Sequence, residues 1–216
     1  MAQHGGSVGA MSGQLRLTGG RRLKSPPGRG TRPTTARVRE AVMNMLGSRL
    51  QGCRWLDLCS GSGIMGCEAL VRGADEVVAI DSDRRAAAVA EHNLRATASG
   101  LTSTPQVRVI KRSITSWLEQ AGTIAPFDLI YFDPPYQSEL YERVLELLHG
   151  RELLTSEGRL ICEFDCKQVP VINSRSWRIE DRRDYGKTGL LFLSINRPEH
   201  CHGGTGSMQP RKDPEA

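Results

Sequence analysis

Two short segments carry residue types that could do chemistry: residues 57–66 read Asp-Leu-Cys-Ser-Gly-Ser-Gly-Ile-Met-Gly, and residues 133–136 read Asp-Pro-Pro-Tyr. In the first, Trp55 to Cys59 has the apolar content of a strand and Ile64 to Arg72 that of a helix, so Ser60-Gly61-Ser62-Gly63 is the turn between them. Without a Cβ, glycine lets the chain turn sharply and a ligand approach the backbone, while free N–H groups at a helix start offer hydrogen bonds and a positive dipole end. Gly61, Gly63 and Gly66 satisfy G-x-G-x-x-G, and Asp81 lies 20 residues beyond Gly61, where an acid can hold ribose hydroxyls. That spacing suits NAD as well as other nucleotide-type cofactors. Asp57, however, puts a carboxylate where a dinucleotide's pyrophosphate would pass and where a methionine ammonium group would be attracted, so S-adenosyl-L-methionine is the expected cofactor. A tight turn at the glycines and caps at Asp57, Asp81 or Asp83 would explain the same residues without a ligand.

The second segment follows Phe127-Asp128-Leu129-Ile130-Tyr131-Phe132, a buried-strand pattern that the two prolines end abruptly. In a doubly wound sheet this leaves Asp133 at a carboxyl end beside the glycine loop. Methylating an exocyclic amine requires its lone pair to be aimed, although conjugation keeps the group planar and weakly nucleophilic. Asp133 can accept one N–H, and the carbonyl of Pro134, held by a ring that fixes φ, can accept another. Tyr136 would stack on the base. A rigid turn after a core strand is the alternative for this tetrapeptide on its own.

Composition bounds the setting of these residues. At 216 residues with 38% hydrophobic content the chain can bury one full core. No apolar run approaches a membrane span, and the first residues lack the layout of a secretory signal, so a cytoplasmic location is expected. The six cysteines form no Cys-x-x-Cys pair and the five histidines are scattered, which points to reduced thiols and no metal site. Charge is segregated: residues 1–39 hold eight Lys/Arg and no acid, leaving 21 Lys/Arg against 24 Asp/Glu in the rest. A basic face for a polyanion fits that distribution, as does a solvated basic arm.

The elements that must position the two segments follow from periodicity. Residues 1–13 and 197–216 read as disordered tails, residues 14–50 as a basic extension and residues 51–196 as the main domain. Leu15 to Leu23 alternates apolar and basic residues around Gly19-Gly20 and reads as a hairpin, followed by a capped helix over 35–50. Strands are expected at 54–59, 76–81, 106–111, 127–132, 158–164 and 189–195, with helices at 64–72, 83–98, 113–120 and 138–149. This βαβ series makes an α/β fold with a doubly wound, mostly parallel sheet. Trp177 to Asp184 and Gly189 to Ile195, separated by four residues, form a terminal antiparallel hairpin.

These residues resemble the class I S-adenosylmethionine-dependent methyltransferases, and Asp133-Pro134-Pro135-Tyr136 resembles the form found in amino-methyltransferases of nucleic-acid bases. Leu15 to Leu23, Thr31-Arg32-Pro33-Thr34-Thr35-Ala36-Arg37-Val38-Arg39-Glu40, Leu56 to Gly63 and Glu68 to Ala74 are similar to the bacterial 16S rRNA guanine-N2 methyltransferase family, over about residues 14–195. The resemblance implies a Rossmann-like seven-stranded sheet and methylation of guanine(966) N2 in small-subunit ribosomal RNA. It maps Asp133, Pro134 and Tyr136 onto the catalytic corner, and Asp57, Gly61, Gly63 and Asp81 onto the cofactor loop; Cys59, Ser60, Ser82, Ser113 and Ile114 are further candidate cofactor-binding residues. Arg16, Arg21, Arg22, Lys24, Arg29 and Arg32 would grip phosphate. The partner is then 16S ribosomal RNA or a small-subunit assembly intermediate, met by a monomer. Two positions depart from the family pattern: Lys111-Arg112-Ser113-Ile114 offers no acid for the cofactor adenine, and Cys59 stands where an aromatic or aliphatic residue is frequent. Competing readings are an amino-methyltransferase acting on DNA adenine N6 or on a protein glutamine, a noncatalytic RNA-binding assembly factor, and an NAD oxidoreductase, for which no hydride-relay histidine lies near the loop.

Overall fold

The computed structural model describes residues 15–26, 34–120, 122–135 and 138–196. Seven strands, β1 (Arg54–Leu58), β2 (Glu76–Asp81), β3 (Gln106–Lys111), β4 (Phe127–Phe132), β5 (Leu154–Asp165), β6 (Trp177–Tyr185) and β7 (Thr188–Ile195), form one sheet in the order β3-β2-β1-β4-β5-β7-β6. β1 to β5 run parallel, and β7 inserts antiparallel between β5 and β6. Helices α2 (Ile64–Val71), α3 (Arg84–Ala98), α4 (Ile114–Gln120) and α5 (Ser138–Gly150) connect the parallel strands, and α1 (Ala36–Leu46) precedes them. Each crossover must carry the chain back along a sheet face, which is why the central strands are apolar on both sides.

Successive residues of a strand face opposite sides, and the core divides accordingly. Trp55, Leu129, Tyr131 and Ile161 pack with α1, α2 and α3 on one face. Leu56, Leu58, Ile130, Phe132 and Leu160 pack with Trp117 of α4 and Val144 and Leu148 of α5 on the other. Each such large side chain, withdrawn from water, stabilises the fold by roughly 2 kcal/mol. Asp57, Tyr131 and Glu163 therefore project to the α1–α3 side, because they alternate with residues of the second face.

Two boundaries differ from the sequence expectation by more than one residue. The helix after Thr35 stops at Leu46, because Gly47 takes φ 52° and the chain continues as a 3-10 turn over Gly47–Leu50. β5 starts at Leu154 rather than at 158, since the polar Thr155-Ser156-Glu157 gives no apolar alternation, and its register against β4 shifts between Phe127 and Leu129.

The basic hairpin is present: the Leu17 N–H donates to the Arg21 carbonyl and the Leu23 N–H to the Leu15 carbonyl, each at 2.9 Å, around a bridge between Arg16 and Arg22. Leu15, Leu17 and Leu23 join the α1–α3 core, which leaves Arg16, Arg21, Arg22 and Lys24 exposed. Arg29, Arg32, Tyr136 and the two expected tails lie outside the described residues. Among the described residues no helix is long and apolar enough to cross a membrane.

Candidate active site

β1 sits at the point where the sheet order reverses, with β2 on one side and β4 on the other, so a crevice opens at its carboxyl end. The glycine loop occupies that end. Cys59 takes φ 61°, Gly61 φ 54° and Gly63 φ 74°, a run of left-handed residues that turns strand into helix within four positions. A Cβ at Gly61 would meet nothing within 4 Å, so the loop backbone faces open space there. Gly66 is needed for a different reason, because a Cβ on it would come within 2.8 Å of Val77 and prevent α2 from lying on the sheet.

Three acids and a hydroxyl shape this end of the sheet. Asp81 at the end of β2 accepts the Gly61 N–H at 2.7 Å and the Asp83 N–H at 2.9 Å, so it organises the loop with both oxygens while remaining half-exposed. Burial raises its pKa, and the two N–H groups oppose the shift. Asp57 is buried and accepts only a long hydrogen bond among the described residues, from the Gly66 N–H at 3.3 Å. Burial pushes its carboxyl up to about 7, with Asp81 adding to the shift and the Gly66 N–H opposing it. The Ser60 Oγ is buried without a hydrogen-bond partner among the described residues. A buried acid without a cation among the described residues, an unsatisfied hydroxyl and an open glycine backbone fit a ligand that is cationic at one end and hydroxyl-bearing at the other.

Asp133 is the neighbour of this loop. Phe132 pairs with Leu58 across β4 and β1, and the Asp133 N–H reaches toward the Leu58 carbonyl at 3.5 Å. Withdrawal from water, the charge of Glu163 and that of Asp57 raise its pKa well above the usual carboxylate range, and a hydrogen bond from Thr34 opposes them. Thr34 Oγ1 lies 3.4 Å from Asp133 Oδ2. Pro134 is buried and Pro135 exposed, so the chain turns outward within one residue. Clustered acids strengthen the preference for a cationic ligand, whose charge would return Asp57 and Asp133 to their ionised forms.

The hairpin is bolted to the same face by three buried polar side chains, Glu68, Arg39 and Asn93. Glu68, fully buried on α2, accepts the Thr18 N–H at 2.9 Å and an Arg72 N–H at 2.5 Å, with Arg39 at 3.8 Å. Arg39 in turn donates to the carbonyls of Thr34 and Arg16, both at 2.8 Å. Asn93 on α3 donates to the carbonyls of Lys24 and Ser62, each at 2.9 Å. The exposed cations of the hairpin are thereby held at a fixed distance from the loop.

The remaining expected residues divide. Ser82 and Ser113 are exposed, and Ser113 Oγ accepts the Ser116 N–H at 3.3 Å as the cap of α4. The Ile114 side chain packs into the core beneath α4. A cleft of about 420 Å³ along β3, lined by Arg108, Ile110, Arg112, Trp117 and Ile124, shares no residue with the expected site. Thr34, Tyr131, Glu163, Glu68 and Asn93 join the site in the structure without belonging to either chemistry-bearing segment of the sequence. A faint signal existed for two: Glu163 interrupts an apolar strand, and Asn93 falls on the apolar face of α3 beside Ala90 and Leu94.

Comparison with known proteins accords with this geometry. The family described as conserved hypothetical protein 95 matches residues 10–194. Ribosomal RNA small subunit methyltransferase D of Escherichia coli strain K12 is 32% identical over 181 residues, 82% of this chain and 87% of that protein. The solved structure of the Escherichia coli protein yhhF superposes with a TM-score of 0.71 at 29% identity, covering 86% of this chain and all of that one. The methyltransferase-type protein SMU.776, solved in complex with SAH, shares the fold at 17% identity and a TM-score of 0.59, over 77% of this chain and 50% of that one. On the family match and the 32% identical relative, the chain belongs to the conserved hypothetical protein 95 family, that of the small-subunit ribosomal RNA methyltransferase D proteins, and has the class I methyltransferase fold.

Proposed function

We propose that this protein transfers a methyl group from S-adenosyl-L-methionine to the exocyclic N2 of a guanine in 16S ribosomal RNA, guanine 966. The observation that carries the reading is the adjacency of Asp133 to the Asp57 loop at the carboxyl ends of β4 and β1. When bound, S-adenosylmethionine supplies a methyl group already activated on a sulfonium. Asp57 attracts the ammonium group, Asp81 the ribose hydroxyls, and the loop from Cys59 to Gly63 lines the approach, with Ser82, Ser113 and the backbone of Ile114 bordering the adenine. Asp133 accepts one N–H of the amine and the Pro134 carbonyl the other, which aims the lone pair and stabilises the charge developing on nitrogen. Tyr136 stacks on the extruded base.

Arg16, Arg21, Arg22 and Lys24, with Arg29 and Arg32, grip phosphate and supply affinity more than sequence preference. The reading places the protein in the cytoplasm as a monomer working on ribosomal RNA or a small-subunit assembly intermediate. The test is incubation with methyl-labelled cofactor and 16S ribosomal RNA, DNA or protein in parallel. Label in guanine N2 of the RNA supports the proposal; label in DNA adenine or protein glutamine with blank RNA overturns it.

A further inference from the structure

We propose that Thr34 is a positioning residue for the transfer reaction, its hydroxyl fixing the Asp133 carboxylate beside the buried Tyr131–Glu163 pair. The proposal rests on the methyl-transfer reading above and adds a residue from the N-terminal extension to the site.

The geometry brings a hydroxyl of the N-terminal extension to Asp133, next to a buried pair formed by Tyr131 of β4 and Glu163 of β5. Thr34 Oγ1 lies 3.4 Å from Asp133 Oδ2, and the Tyr131 phenol lies on the neighbouring strand residue of the same face. The Tyr131 O–H donates to Glu163 Oε2 in a short contact. Neither end is loose: the Tyr131 ring is buried and stacked on Trp55 with centroids 6.1 Å apart, and the Glu163 carbonyl accepts the Tyr141 O–H at 2.6 Å. Thr34 is itself only 8% exposed, and its carbonyl is held by Arg39, which also holds the Arg16 carbonyl of the hairpin.

Hydrogen counting gives the contact a direction. Tyr131 uses its one hydrogen on Glu163 and has none to offer Asp133. Thr34 has one hydrogen to give. An ionised Asp133 draws that hydrogen, because a charged acceptor makes the stronger bond; a protonated Asp133 donates to the Thr34 oxygen, whose hydrogen then turns away. Rotation of one hydroxyl therefore accommodates both states of Asp133, and valine cannot replace it. Among the described residues, the other groups facing Asp133 are Asp57 and Cys59 from the end of β1, Glu163 from β5 and Tyr141 from α5, while Arg39 of α1 faces Tyr131.

The consequence is a link between the phosphate-gripping hairpin and the reacting corner. Arg39 ties the hairpin backbone to Thr34, and Thr34 ties that backbone to Asp133, so displacement of the extension unseats the carboxylate.

The test compares full-length wild type, Thr34→Val, Thr34→Ala and Thr34→Ser, each checked for an unchanged melting temperature. Single-turnover methylation of 16S ribosomal RNA is followed against pH, and the Asp133 carboxyl of the ligand-free protein is titrated by carbon-13 NMR. The hydroxyl-free variants are expected to lose about tenfold or more in rate while RNA and cofactor affinities stay within about twofold. Their pH midpoints, in rate and in the NMR titration, move upward, because a hydrogen bond favouring the carboxylate is gone; serine restores both. An Asp133 titration unchanged in the valine and alanine variants, or serine behaving as they do, overturns the proposal. If wild type leaves ribosomal RNA unmethylated while the NMR shift appears, the functional reading fails and the Thr34–Asp133 link stands.

Discussion

The side-chain amide of Asn93 joins the glycine loop to the basic hairpin: its Nδ2 donates to the Ser62 and Lys24 carbonyls and its Oδ1 accepts the Lys24 N–H, all at 2.9 Å. With Asn93 only 1% exposed, three backbone groups depend on a single side chain that lies outside every motif of the sequence. The loop that would receive the cofactor and the strand that would receive RNA thus share one anchor.

Removing that anchor should affect both ligands at once. Asn93→Ala leaves two carbonyls and an N–H short of partners and is expected to lower stability by about 3 kcal/mol in urea denaturation. Calorimetry should show weaker binding of both S-adenosylmethionine and RNA. Loss of one affinity with the other intact would mean that the two segments are held independently.

The pH dependence of stability follows from Asp57. Its folded pKa of about 7 lies above the carboxylate reference of 3.8, so between those values the folded state binds more protons than the unfolded one. Stability therefore falls as pH rises from about 4 to 7, by roughly 4 kcal/mol for this group, and is level above. Asp133, shifted in the same direction, adds to the slope. Asp57→Asn should flatten part of that slope, stabilise the ligand-free protein at pH 8 and abolish cofactor binding, all measurable by chemical denaturation across pH with and without ligand.

The hairpin cations make a separable prediction. Arg22 and Lys24 are exposed, and Arg22→Gln with Lys24→Gln should weaken RNA binding similarly for all sequences, reducing the salt slope of log K by about two while leaving cofactor affinity unchanged. A change in sequence preference instead would assign these side chains to base edges.

Sequence reading located the elements well where one physical signal dominated. The parallel strands were legible because Trp55–Leu58 and Leu129–Phe132 are apolar on both faces, and the loop because Gly61 and Gly63 need positive φ. The early start of β5 was hidden by its polar Thr155–Glu157 stretch. Thr34, Glu68 and Asn93 could not be placed from sequence, since their partners lie 99, 50 and 69 residues away and depend on how the extension packs. Ile114 shows the opposite limit: it lies next to the expected adenine contact, yet the helical period of α4, which buries Ile114, Trp117 and Leu118 together, turns its side chain into the core.

The central claim is that Asp133 directs methyl transfer to guanine N2, and mass mapping of 16S ribosomal RNA tests it most directly. In cells lacking this gene, the fragment carrying guanine 966 should be one methyl group lighter; the wild-type gene should restore that mass, and an Asp133→Ala gene, expressed to the same level, should not. Restoration by Asp133→Ala, or an unchanged fragment when the gene is absent, would contradict the account.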